Sequence, residues 1–220
     1  MSQQKRRPAA RQLSDDRLRS LIGEARQLGV SAIILAGGEP LLRDDVLGIT
    51  KDFPSIVFPL ITNGTLINDA IIRQFKGQRN VIPILSIEGD ESDTDARRGA
   101  GIHKRVQIVT EKMRAEHVFF GCSLTVTSAN AETIADPLFI NNLVEAGVKL
   151  FLLLEYVSFE EGTDSWVVTE EQRARLQQHI EEFRSRFSVL FIAIPGDEGR
   201  YGGCLAAGRG LRQYQCGGRG

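Results

Sequence analysis

The chain has 220 residues, of which 42% are hydrophobic and 25% are charged, a composition that is typical of globular proteins and excludes a disordered or collagen-like chain. Its 27 basic and 28 acidic residues give a formal net charge of -1, which argues against a nucleic-acid-binding protein. The apolar runs are far shorter than the ~20 residues that cross a bilayer, and no apolar signal segment is visible near the start. Three cysteines are not the even set of a disulfide framework, so we expect a cytoplasmic protein with no membrane partner.

Short apolar segments alternate with segments of helical periodicity along most of the chain. The first helix is predicted to have Ser14 as its N-cap and to end before Gly29. Apolar strands that alternate with helices are typical of a parallel sheet covered by helices, so the sequence predicts an α/β fold. The predicted helices are residues 14–28, 44–53, 68–75, 102–116, 131–146 and 169–187, and the predicted strands are residues 31–36, 56–61, 81–86, 119–126, 149–155 and 188–194.

The series of elements opens on a helix rather than on a strand. A helix in this position normally returns from an upstream strand, so we expect a missing leading strand and an exposed sheet edge beside residues 31–36. Residues 1–195 are predicted to form one core domain. Residues 196–220 are rich in glycine and are predicted to have no core of their own.

Glycine and polar residues follow each of the first three predicted strands, where parallel α/β folds bind ligands. Paired glycines let the backbone approach a ligand closely, and Glu39 offers a carboxylate to an ammonium group. Asn63 and Ser86 each donate and accept hydrogen bonds. Together these residues predict a pocket for a zwitterionic small molecule, although each segment is also typical of an ordinary turn. The strand-end residues are Gly37, Gly38, Glu39, Pro40, Asn63, Ser86 and Glu88.

Three segments, LAGGEPLLR, LITNGTLI and LSIEGDESDTDARRGAG, resemble the core of the radical S-adenosylmethionine (SAM) enzymes, in particular the peptide- and cofactor-maturing branch that carries a C-terminal auxiliary iron-sulfur region. The resemblance implies a partial (β/α)6 barrel, here without its first strand and cluster loop. It implies an enzyme in which a [4Fe-4S] cluster and SAM generate a 5′-deoxyadenosyl radical that modifies a peptide or cofactor precursor. The implied partners are that substrate and an electron donor such as flavodoxin or ferredoxin.

The resemblance also assigns residues to the SAM site, but it identifies no catalytic residue. Residues 37–40 match the family segment that contacts the SAM amino group, and Asn63 falls beside it. Ser86 and Glu88 stand where family members place polar groups toward the ribose and the methionyl carboxylate, with Glu88 one methylene longer than the usual Asp. Two further assignments leave a structural alternative open: Arg98, in a loop after the third strand, and Glu155, at the end of the last core strand near the adenine.

The cysteines depart most from the family pattern. The implied Cys-x3-Cys-x2-Cys cluster loop is absent, and the basic start of the chain resembles the connection that follows that loop. We therefore expect a chain truncated at both ends, the alternative being a non-catalytic SAM-binding or interaction remnant. Cys204 lies in a glycine-rich segment that resembles the start of the auxiliary-cluster region, and Cys216 follows it, so both are candidate metal ligands or else unpaired thiols. Cys122 is predicted to be a small buried hydrophobe.

Overall fold

Seven parallel strands form one sheet in the computed structural model, which describes residues 13–89, 101–158, 162–197 and 200, and the backbone of 211–215. The strands are β1 (Ala32–Ala36), β2 (Phe58–Thr62), β3 (Val81–Ile87), β4 (Gly121–Val126), β5 (Leu150–Glu155), β6 (Leu190–Ile194) and β7 (Leu211–Gln215). The helices are α1 (Asp15–Gln27), α2 (Val46–Lys51), α3 (Asp69–Gly77), α4 (Ile102–Ala115), α5 (Ala131–Ala135), α6 (Pro137–Glu145) and α7 (Glu170–Arg186). The strand order across the sheet is β6-β5-β4-β3-β2-β1-β7.

Strands β1 to β6 lie side by side in chain order, and each pairs in parallel with the next. Helices connect them, as the predicted α/β fold and partial (β/α)6 barrel require. The predicted start of the first helix is confirmed, because the Ser14 side chain accepts a hydrogen bond from the Arg17 amide. Gly29 follows α1 with φ 80°, a conformation that favours glycine.

The prediction of one helix over residues 131–146 is wrong. The structure has two helices there, because Asp136 caps α6 by accepting from the Leu138 amide at 2.8 Å. Pro137 occupies the first turn of α6, where its missing N–H is no loss, whereas in the middle of a longer helix it would remove a hydrogen bond.

The sheet edge beside β1 is paired rather than exposed. Strand β7 runs parallel to β1 with five residues in register, from Ala32 opposite Leu211 to Ala36 opposite Gln215. The predicted exposed edge is therefore wrong, and a segment of the glycine-rich C-terminal part supplies the additional strand. The proposed boundary between residues 195 and 196 stays a prediction.

Apolar side chains on one face of the sheet form a single core with the helices. At the β5–β6 end of this core, the rings of Phe151 and Phe191 stack with centroids 4.7 Å apart, and the ring of Phe183 of α7 lies 5.9 Å from that of Phe191. Leu85 and Ile87 of β3 belong to this core, so Ser86 between them projects from the opposite face of the sheet. Among the described residues no helix has the length and apolar character needed to cross a membrane.

Candidate functional site

The carboxyl ends of β1, β2 and β3 bring the predicted site residues to one edge of the sheet. Glu39 and Asn63 are in direct contact there, since the Asn63 amide donates to Glu39 Oε2 at 2.8 Å. Ser86 lies one residue beyond Leu85, the register partner of Thr62, so it is next to the same strand end. The structure therefore unites the first three predicted strand ends at one rim.

Glu39 uses its carboxylate inside the protein. Its Oε1 accepts from the Leu41 amide at 3.2 Å and from Thr62 Oγ1 at 2.8 Å, and its Oε2 accepts from the Asn63 amide. The first bond caps the short 3-10 helix Pro40–Leu42, and the other two bind the end of β2. The carboxylate therefore joins the ends of β1 and β2, and its contact with an ammonium group stays a prediction.

The two glycines before Glu39 expose their backbone at the rim. Gly37 has φ 96° and Gly38 has φ 56°, both in the region that favours glycine. A Cβ atom built on Gly38 meets no atom within 4 Å, so open space lies beside this backbone. Pro40 opens the following 3-10 helix, where its missing N–H is no loss. The loop thus has an accessible backbone and is followed directly by a capped 3-10 helix.

Asn63 shapes the loop that follows β2. Its Oδ1 accepts from the Thr65 amide at 2.9 Å and from Thr65 Oγ1 at 2.7 Å, which folds the loop into an Asx turn. Gly64 has φ 75°, and its amide donates to Thr62 Oγ1 at 3.0 Å. Both of these hydrogen bonds use the Asn63 side-chain oxygen, so its Nδ2 group is the part suited to a ligand.

Ser86 forms a buried polar pair with Ser123 of β4. These two residues are register partners, and Ser123 Oγ donates to Ser86 Oγ at 3.2 Å. Both side chains project from the face opposite the main core. Hydroxyl groups both donate and accept, so the pair offers a ligand further hydrogen bonds. The sequence analysis identified Ser86 but missed Ser123, whose only sequence signal is its place in an apolar strand.

Asn130 connects the ends of β3 and β4, and sequence reasoning missed it. Its Nδ2 donates to the Glu88 carbonyl at 2.5 Å and to the Thr125 carbonyl at 2.9 Å. Its Oδ1 accepts from the Thr127 amide at 2.7 Å and from Thr127 Oγ1 at 3.1 Å. Both Asn130 and Glu88 are buried. The buried amide thus fixes the backbone that carries Glu88; the turn-forming Thr-Ser-Ala-Asn segment after β4 was the available sequence signal.

Glu155, predicted as an adenine-side residue, forms an ion pair with α7. Arg173 donates to it from Nε at 2.9 Å and from Nη2 at 2.5 Å. These bonds, with a second ion pair to Glu170, raise the pKa of Arg173 above its ordinary value. The bidentate pair ties the end of β5 to α7. The assignment of Glu155 to the SAM site stays a prediction.

Two aromatic residues lie beyond β5 at the same edge. Tyr156 and Trp166 have ring centroids 5.5 Å apart, and Trp166 is 47% exposed. The Ser128 amide donates to the Trp166 carbonyl at 2.9 Å, which holds the 3-10 helix Asp164–Trp166 against the end of β4. This part of the rim therefore presents two aromatic rings.

The remaining predicted ligands lie outside the described residues. These are Arg98, Cys204 and Cys216. Cys122 is fully buried in the core, as predicted, and burial raises the pKa of its thiol. In the described part of the chain no group of three or more His, Cys, Asp or Glu residues is arranged to hold a metal ion.

Curated proteins are similar to this chain, whereas no protein-family model matches it. The AdoMet-dependent heme synthase of Methanosarcina barkeri is 32% identical over 129 residues, which is 57% of this chain and 37% of that protein. The pre-heme d1 synthase of Dinoroseobacter shibae is 26% identical over 193 residues, 86% of this chain and 45% of that protein. The chain thus spans less than half the length of these two relatives.

Solved structures share the fold at lower identity. SuiB of Streptococcus suis, bound to S-adenosylmethionine, superposes with a TM-score of 0.68 at 17% identity, covering 85% of this chain and 44% of that one. The anSMEcpe protein with bound AdoMet superposes with a TM-score of 0.62 at 18% identity, covering 81% and 55%. The parallel sheet and its helices are therefore an arrangement already known from SAM-bound proteins.

Proposed function

Because this chain belongs to the radical SAM superfamily, we propose that its strand-end rim binds S-adenosylmethionine within an enzyme that modifies a peptide or a cofactor precursor. The observation that carries the proposal is the Glu39 carboxylate, which binds the ends of β1 and β2 into one rim. When SAM is bound beside a reduced iron-sulfur cluster, this family's chemistry yields a 5′-deoxyadenosyl radical that abstracts hydrogen from the substrate.

The residues at the rim fit a zwitterionic sulfonium compound. The accessible backbone of Gly37 and Gly38 supplies carbonyl acceptors for an ammonium group, and the Glu39 carboxylate behind them adds a negative potential that favours a cation. Asn63 Nδ2 and the Ser86 hydroxyl supply donors for carboxylate and ribose oxygens. In this proposal the protein positions SAM through neutral dipoles backed by one carboxylate.

The described residues do not fit a [4Fe-4S] cluster. Such a cluster needs several thiolates close together, and the single described cysteine, Cys122, is buried in the core. Cys204 and Cys216 remain candidate ligands of an auxiliary cluster.

The similar proteins support two substrate classes. SuiB was solved with the precursor peptide SuiA, and anSMEcpe was solved with the peptide Cp18Cys, which favours a peptide. The curated relatives are named for heme and heme d1 synthesis, which favours a cofactor precursor.

We infer a cytoplasmic setting with an electron donor of the flavodoxin or ferredoxin type.

Calorimetric titration of SAM into the purified chain tests the binding step. The decisive variant is Gly38→Ala, which adds a methyl group at the rim and strains a backbone with φ 56°. Gly29→Ala is its matched control, because Gly29 also has positive φ, 80°, with no atom within 4 Å of the new Cβ, but it lies at the opposite end of β1. We expect Gly38→Ala alone to abolish or strongly weaken binding, whereas equal affinities for both variants would contradict the site.

Anaerobic reconstitution with iron and sulfide tests the chemistry and, because this sequence lacks the Cys-x3-Cys-x2-Cys loop, it is carried out on a form of the protein that carries such a loop. A radical enzyme shows the brown absorbance of a cluster and, with dithionite, converts SAM to 5′-deoxyadenosine and methionine. SAM binding without cluster formation would instead support the alternative, a non-catalytic SAM-binding or interaction protein. No SAM binding by the wild-type chain would contradict both forms of the proposal.

A further inference from the structure

The 3-10 helix Pro40–Leu42 is held at both of its ends. On one side, the Glu39 carboxylate binds the end of β2. On the other side, Arg43 Nη2 donates to the backbone carbonyl of Leu13 at 2.9 Å and forms an ion pair with Asp15. One short turn therefore connects the end of β2 to the residues that enter α1.

The contact to Leu13 satisfies a carbonyl that the helix does not use. The backbone hydrogen bonds of α1 begin at the Ser14 carbonyl, which accepts from the Leu18 amide. The Leu13 carbonyl lies one residue before this point, and Arg43 supplies its donor. The Arg43 side chain is only 17% exposed, and its Nη2 group contacts both the Leu13 carbonyl and the Asp15 carboxylate, so this group is held by the protein rather than by solvent.

Helix α1 has other contacts that hold it against the sheet. Its apolar face is buried, and Arg19 forms ion pairs with Asp45 at 2.7 Å and with Asp52 at 3.0 Å, on either side of α2. Loss of Arg43 should therefore leave α1 docked. Among the contacts of the described residues, it is the Arg43 side chain that ties the chain at residue 13 to the turn after residues 37–40.

We propose that Arg43 is a positioning residue that makes the entry to α1 and the loop of residues 37–40 a single rigid unit, and so preorganises that loop for SAM. The inference rests on the proposed function, because it takes this loop to be the SAM-binding loop. A loop that is already ordered loses less conformational freedom on binding, so the ligand binds more tightly. Removing the anchor at one end of the turn lowers affinity without removing a ligand contact.

The test measures hydrogen exchange and SAM titration on the full 220-residue chain. Arg43→Gln removes the positive charge and the paired donors of the guanidinium. Asp15→Asn removes the negative charge of its partner and keeps the shape of the side chain. Arg19→Gln is the matched control, because it removes ion pairs of α1 that do not involve Arg43. We expect Arg43→Gln to speed amide exchange in both residues 13–18 and residues 37–42 and to weaken SAM binding by roughly tenfold. Asp15→Asn should produce a smaller change of the same kind, and Arg43→Lys should restore part of the affinity.

The control separates positioning from general stability. Arg19→Gln loses two ion pairs, so it should lower the melting temperature about as much as Arg43→Gln does. Its affinity for SAM should nevertheless stay within about twofold of the wild-type affinity. The inference is overturned if Arg43→Gln leaves amide exchange in residues 37–42 unchanged, or if Arg19→Gln weakens SAM binding as much as Arg43→Gln does. If the wild-type chain does not bind SAM, the proposed function fails, and the exchange data still decide whether Arg43 couples the two segments.

Discussion

The backbone amide of Asn63 donates to the carboxylate of Glu39 at 2.8 Å, so the loops after β1 and β2 share one acceptor. The Glu39 side chain therefore sets the distance between the ends of β1 and β2. A carboxylate holds three donors here, which a neutral side chain of the same length cannot do. The geometry of the rim therefore depends on the three hydrogen bonds that this carboxylate accepts.

Glu39→Gln should destabilise the fold and weaken SAM binding. The amide nitrogen of glutamine cannot accept a hydrogen bond, so one of the donors from Asn63, Thr62 or Leu41 loses its partner, at a cost of about 2 kcal/mol. Chemical denaturation of the two proteins measures this difference. Glu132→Gln is a suitable control, because Glu132 forms an exposed ion pair with Arg175 and its loss should change the unfolding free energy by less than ~0.5 kcal/mol. Equal stability of Glu39→Gln and wild type would contradict the role of the carboxylate.

Local patterns predicted the sheet well because each strand carries its own signal. The prediction of a strand over residues 149–155 is confirmed by β5, Leu150–Glu155, since a run this short that follows a glycine is typical of a buried strand. The three polar strand ends could be placed together from the same logic, because parallel strands end at one edge. The prediction of one helix over residues 131–146 was wrong because it followed the apolar periodicity and not the Asp136-Pro137 pair, which is typical of the start of a new helix.

Contacts between distant residues could not be predicted from the sequence. The members of each such pair are hydrogen-bonded but lie 18 or more positions apart in the sequence, beyond the reach of a local pattern. The pairs are Arg43 with Leu13, Arg173 with Glu155 and Asn130 with Glu88. Arginine and asparagine in such positions look like ordinary surface or turn residues in the sequence. Strand β7 was missed for the same reason, because its partner β1 lies at the other end of the chain.

Asn130→Ala should be among the most destabilising polar substitutions in the chain. It leaves the carbonyls of buried Glu88 and half-buried Thr125 without the Asn130 amide donor, so we expect a loss of about 3 kcal/mol in unfolding free energy. Thermal and urea denaturation measure this loss. The matched control is Asn141→Ala, since Asn141 makes one exposed bond to Glu145 in α6 and alanine favours a helix. Similar stabilities for the two variants would exclude Asn130 as a link between β3 and β4.

Cys122 should be unreactive in the folded protein. Its side chain is fully buried, and burial raises the pKa of the thiol, so neither access nor thiolate is available to a reagent. In a Cys204→Ser and Cys216→Ser double variant, where Cys122 is the single thiol, reaction with Ellman's reagent should be roughly a thousandfold slower than in denaturant. Rapid, complete labelling in native buffer would show that β4 does not lie in a closed core.

Acid should weaken the packing of α3 against α4. Lys112 donates to Asp69 at 2.7 Å and Lys76 donates to Glu116 at 2.8 Å, and these bonds lower the pKa of both carboxyl groups below their ordinary values of 3.8 and 4.5. A carboxyl group whose pKa is lower in the folded state stabilises the fold above its unfolded pKa, and this contribution is lost as the pH falls through the folded value.

The two ion pairs can be separated from other acid effects with an Asp69→Asn, Glu116→Gln double variant. Between about pH 7 and pH 2.5, the melting temperature of wild type should fall further than that of the variant, because only wild type protonates these two groups. Both pairs are exposed, so the difference should be small and should shrink in high salt, since salt screens exposed charges. Parallel pH curves for the two proteins at low salt would show that these pairs contribute nothing to the stability of the α3–α4 face.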